Sequence, residues 1–160
     1  MTTAGDSNTG AGAALAVRQS VHVDLPPSEA FRLFTEGIGE WWPLEEGYSY
    51  GGDRASSIFL EPVVGGRFFE RFADGDELQV GTVVSCLAPD RIVFTWRSPE
   101  WRGDTEVDVR FVPDGAGSSV LLEHRGWERL GPDAAAIAAR WANGWPRVVA
   151  AFAGRAATSQ

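Results

Sequence analysis

Residues 133–154 read DAAAIAARWANGWPRVVAAFAG, and within them Ile137, Trp141, Trp145, Val148 and Phe152 recur at intervals of four, four, three and four. That spacing is one face of an α-helix. A helix from about Asp133 to Gly154 would be roughly 30 Å long, at about 1.5 Å per residue. Pro146 falls inside it and predicts a kink or break near Asn143–Gly144. So long a helix with one aromatic stripe has to bury that stripe against another element.

The residues before it supply that element. From Val17 to Leu25, Val17, Val21, Val23 and Leu25 share one parity, while Arg18, Ser20, His22 and Asp24 share the other. Such alternation marks a half-buried strand. Pro26 and Pro27 end it, and Pro27 suits the first position of a helix. Ala30, Phe31, Leu33 and Phe34 give that short helix an apolar stripe, and a second helical turn carries Ile38, Trp41 and Trp42 up to Pro43. Residues 44–54 show no periodicity and read as a loop. Six further strands follow, Ser56–Glu61, Arg67–Phe72, Leu78–Leu87, Arg91–Arg97, Glu106–Val112 and Ser119–Arg125, separated by turns rich in Gly, Asp and Pro. Closely spaced strands of this kind predict an antiparallel meander. The fold class is therefore α+β, a curved antiparallel sheet wrapped around the C-terminal helix. Its domain runs over 17–155, between an N-terminal tail at 1–16 and a short C-terminal tail at 156–160.

Composition narrows the function classes. The chain has 160 residues, enough for one domain with a real core, and a net charge of −8. All basic side chains are Arg, with no basic run, so the electrostatic footprint of a nucleic-acid or anionic-membrane partner is missing. No apolar stretch approaches the roughly 20 residues that span a bilayer. The single cysteine, Cys86, permits no internal disulfide and reads as an inert buried thiol. No secretory pattern starts the chain, and the expected location is the cytoplasm. Neither a metal site nor a cofactor motif is found: His22 falls on the solvated parity of its strand, and Gly65–Gly66 lacks the rest of a phosphate loop.

Five motifs carry a resemblance. They are Phe34–Pro43 (FTEGIGEWWP), Glu61–Arg67 (EPVVGGR), Val93–Trp96 (VFTW), Leu122–Trp127 (LEHRGW) and Asn143–Trp145 (NGW). In this order the chain resembles the helix-grip (START-like, SRPBCC) superfamily, and within it the branch named after the activator of the heat-shock-protein ATPase. The resemblance runs from about Val17 to Phe152. It implies a cavity between sheet and helix for an apolar or aromatic small molecule. It also leaves open a polyketide cyclase-like enzyme or a chaperone-associated interaction module.

Parity nominates the lining of such a cavity. Phe68, Glu70 and Phe72 share a strand face, as do Ile92, Phe94 and Trp96, and as do Val120, Leu122 and His124. With Trp42, Trp141 and Trp145, the candidate ligand-binding residues are Trp42, Phe68, Glu70, Phe72, Trp96, His124, Trp141 and Trp145. Glu70 and His124 are the only ionisable pair; burial would raise the first pKa and lower the second unless they pair. They can be structural, anchor a ligand, or act as general acid and base. A binding role is favoured over catalysis. Trp101 and Trp127 fall outside the strands, and an exposed Trp would offer a surface for a partner or a second copy, so a homodimer is a further expectation.

Overall fold

A computed structural model describes residues 15–159. The expected N-terminal tail lies outside these residues except for its last two. Seven strands form a single antiparallel sheet: β1 (Val17–Val23), β2 (Ser56–Leu60), β3 (Arg67–Phe72), β4 (Glu77–Leu87), β5 (Arg91–Trp96), β6 (Thr105–Asp114) and β7 (Gly117–Arg125). Helix α1 (Pro27–Phe34) follows β1, and helix α2 (Ala134–Thr158) closes the chain. The strand order is β1-β7-β6-β5-β4-β3-β2, so the first and last strands pair and the rest is a meander. The fold is the helix-grip arrangement expected.

Cross-strand register assembles the inner face. Ile92 stands opposite Val109 and Val109 opposite Leu122; Phe94 stands opposite Val107 and Val107 opposite His124. These six side chains are all buried. The sheet curls because its ladder is irregular at Phe68/Phe69 and again at Val83/Ser85, where bulges bend the strands. In the β2–β3 turn the two glycines serve different ends. Gly65 takes φ +86°, whereas Gly66 lies so close to the Glu61 carbonyl that a Cβ would overlap it.

Helix α2 crosses the concave face with Trp145, Val148, Phe152 and Ala156 buried. Two expectations about it need correction. The helix is continuous through Pro146, and it runs on to Thr158 rather than ending near Gly154. Pro146 removes the donor for the Ala142 carbonyl, but both residues are exposed, so water can satisfy that oxygen. Packing of the stripe on either side holds the helix together. Arg147 pairs with Glu46 through two bonds of 2.7 and 2.5 Å, and Arg155 with Glu40 at 2.7 Å, tying the outer side of α2 to the turns before β2. Helix α1 places Phe31 and Phe34 edge-on to Phe111, at 5.4 and 5.8 Å between ring centroids.

Arginines cover part of the convex face, while Val112 and Leu121 are exposed on it. Arg67 and Arg71 lie over Phe69, which stacks on Phe59 at 5.0 Å. Asp108, outward on β6, accepts hydrogen bonds from Arg91 (3.0 and 2.7 Å) and Arg125 (2.7 Å). Its burial alone would raise its pKa, but the two guanidinium groups outweigh this and hold it below the usual carboxylate range.

Three smaller expectations also change. Trp101 and Trp127 are buried, at 7% and 0% exposure, so neither offers the contact surface on which the homodimer rested. Cys86 is only partly buried, with its Sγ 3.2 Å from the Pro62 carbonyl, and desolvation pushes its thiol pKa up. No helix among the described residues is long and apolar enough to cross a membrane.

Candidate functional site

The space between sheet and helix is mostly solid. Around Val120, Leu122 and Phe152 it leaves only about 10 Å³. At one end it opens into a cleft of about 300 Å³, at the lower end of the range usual for small-molecule sites. Three segments build its walls: the loop after Trp42, the end of β5 with the connection that follows, and the middle of α2.

The aromatic part of the lining is Tyr48, Tyr50 and five tryptophans, Trp42, Trp96, Trp101, Trp141 and Trp145. Trp96 meets Trp141 edge-on at 4.8 Å and Trp42 at 5.8 Å, and Trp101 meets Trp141 at 5.6 Å. Trp96 and Trp145 are at 2% exposure and form the floor, while Trp141 is half-buried at the rim. Gly144 on α2 allows the Tyr48 ring to come within van der Waals range.

The polar part comes from the loop and from Ser98. The Trp96 Nε1–H donates to the Tyr50 hydroxyl at 2.9 Å, and that hydroxyl is bonded to Ser98 Oγ. Ser98 is buried. Burial is the main reason the Tyr50 pKa is raised, so the phenol keeps its proton at neutral pH. Arg140 and Glu100 stand exposed at the mouth.

The candidates from the sequence divide cleanly. Trp42, Trp96, Trp141 and Trp145 line the cleft; Phe68, Glu70, Phe72 and His124 do not. Phe68 lies behind Trp96, at 5.0 Å between centroids. Phe72 lies under Arg54 and Gly51. Glu70 is buried and accepts from Ser49 Oγ (2.5 Å), Tyr50 N (2.8 Å) and Ser56 Oγ (3.0 Å). Its carboxylate pins the loop that forms one wall.

His124 sits behind the floor, and its neighbours fix its tautomer. An indole N–H can only donate, so Trp145 Nε1–H donates to Nδ1 at 3.1 Å. Nε2 therefore carries the proton and donates to Thr105 Oγ1 at 2.7 Å, and Thr105 donates onward to the Trp96 carbonyl at 2.8 Å. Burial pushes the His124 pKa down to about 3. A neutral imidazole with both nitrogens occupied cannot serve as an acid or base in the cleft. Glu70 and His124 are each spent on the protein itself and do not meet.

Sequence reasoning missed Tyr48, Ser49, Tyr50, Ser98 and Arg140, and treated Trp101 as exposed. One signal was present: the chain's two tyrosines fall two residues apart in the only long stretch between Trp42 and β2.

Residues 24–156 match the family described as Activator of Hsp90 ATPase homolog 1-like protein. The chain belongs to this family. Among solved structures, a Rhodobacter sphaeroides protein superposes with a TM-score of 0.67 at 18% identity, covering 93% of this chain and 96% of that one. A Nitrosomonas europaea protein gives 0.65 at 11% identity, covering 92% and 97%. Both share the fold. The anthrahydroquino-gamma-pyrone synthase Txn09, solved as a complex, is 29% identical with a TM-score of 0.56, covering 87% of this chain and 95% of that one. No curated protein matches this member of the family.

Proposed function

We propose that the protein binds a planar aromatic small molecule in the tryptophan-lined cleft. The observation that carries this reading is the lining itself: five indole rings border one opening, and apolar walls with a few placed polar groups are the pattern of a small-molecule site. Flat rings stack on such walls in offset or edge-on contact, each pair contributing about 0.5–1.5 kcal/mol beyond burial. Similarity to a synthase named for a fused aromatic product agrees in ligand class.

Binding is favoured over catalysis because Glu70 and His124, the only acid–base pair read from the sequence, are committed away from the cleft. The exposed-tryptophan surface considered for a partner or second copy disappears with the burial of Trp101 and Trp127.

Titration of three-ring aromatic compounds against intrinsic tryptophan emission tests the proposal. Saturable one-to-one binding is expected, weakened by about tenfold in Trp141→Ala, where one stacking wall is removed from the rim. Absence of saturable binding for every compound would sink it.

A further inference from the structure

The floor of the cleft holds one hydroxyl proton more than the protein can use. Tyr50 and Ser98 bring two O–H protons. One is spent in the bond between the two oxygens. The Trp96 N–H adds a third donor and consumes a Tyr50 lone pair. Among the described residues neither hydroxyl has a further acceptor, whichever of the two donates to the other.

We propose that this free proton selects the ligand's class: an aromatic ketone, quinone or phenol whose ring oxygen reaches the Tyr50–Ser98 pair while its rings lie along the tryptophans. The assignment rests on the aromatic-binding reading above and deepens it. Ser98 is buried and Trp96 forms the floor, so an oxygen delivered there leaves water and must be matched by a donor. The raised pKa of Tyr50 keeps the pair in its donating form at neutral pH. A hydrocarbon of the same shape would bury the donor with nothing opposite it.

Fluorene and 9-fluorenone differ at one position, a CH₂ against a C=O, and equilibrium dialysis measures both without relying on protein emission. The quantity to follow is the fluorene dissociation constant divided by that of 9-fluorenone. From wild type to the Tyr50→Phe/Ser98→Ala double variant, with folding verified by circular dichroism, this ratio should fall by about three- to tenfold, the worth of one neutral hydrogen bond. Ser98→Ala alone should lower the ratio by less than the double variant does, because the Tyr50 hydroxyl remains to donate to the ligand oxygen. An unchanged ratio in the double variant overturns the proposal while leaving aromatic binding intact. So does a ratio that falls as far in Ser98→Ala as in the double variant. Failure of both compounds to bind the wild type overturns the aromatic reading and this one with it.

Discussion

At His124 the rings of Trp96, Trp127, Trp141 and Trp145 converge, at 5.7, 4.1, 5.7 and 5.8 Å between centroids. A second ring proton would set Nδ1–H against the Trp145 N–H, in a site shielded from solvent at 0% exposure. The consequence is a pH dependence of known sign. The folded pKa of about 3 lies below the ordinary 6.5, so between them the unfolded chain binds the extra proton and the folded chain does not. Stability present above pH 6.5 is thus lost as pH falls, by about 2 kcal/mol at pH 5. Urea unfolding at pH 7 and pH 5 should show that loss in the wild type and a correspondingly smaller one in His124→Asn; equal losses would place the cause elsewhere. Glu70 makes a different prediction. In Glu70→Gln an amide donor faces groups that themselves donate, so stability should drop by about 1–3 kcal/mol. Because the freed segment carries Tyr48 and Tyr50, affinity for aromatic ligands should fall as well, and hydrogen exchange should speed up over residues 48–56. Unaltered exchange there would show that the loop is held by something else. Strand parity was enough to turn both side chains inward. It could not reveal that both are already engaged, since their partners Ser49, Ser56, Thr105 and Trp145 stand 14 to 21 residues away.

Helix α2 is the element on which the sheet closes, and Trp145 is its deepest anchor. Trp145→Ala should cost about 3–5 kcal/mol, the range for truncating a buried Trp. Near-wild-type melting would contradict the burial and the bond to His124. Pro146, on the outer side of the same helix, makes the opposite prediction. Its replacement by Ala restores a backbone donor to the Ala142 carbonyl at an exposed site, and should raise stability by about 1–3 kcal/mol. A lower melting temperature would mean that the proline itself sets the path of the helix across the sheet. The stripe from Ile137 to Phe152 was legible because a period of 3.6 survives in any helix packed on one side. Of the kink or break expected near Asn143–Gly144, the break does not occur, because a missing donor matters less where water replaces it. Residues 44–55 were illegible for a third reason: they are held by Glu70, Trp42 and Arg147, and such contacts leave no period in the sequence.

For the molecule as a whole, protection should follow the middle of the sheet. Ile92, Phe94, Val107, Val109 and Phe111 are all at 0–1% exposure, so amides of β5, β6 and β7 should exchange slowest and those of the loop before β2 fastest. Mass-spectrometric exchange would test this, and fastest exchange in β6 would contradict it. The sequence carried the architecture in its alternations but not the distinction between packed interior and open space. Phe68 and Trp96 share the interior, yet only one of them borders the cleft, and that depends on where Tyr50 and Ser98 come to rest. The tryptophans have a consequence of another kind. All seven belong to one unbroken series of ring contacts, from Trp41 and Trp42 through Trp96 to Trp141, Trp145, Trp101 and Trp127, with neighbouring centroids 4.8 to 6.3 Å apart. Transition dipoles this close couple, and excitation migrates among them faster than it decays. The near-ultraviolet dichroism should therefore show a split exciton band rather than a sum of separate chromophores, and a single energy acceptor lodged in the cleft should darken all seven indoles together.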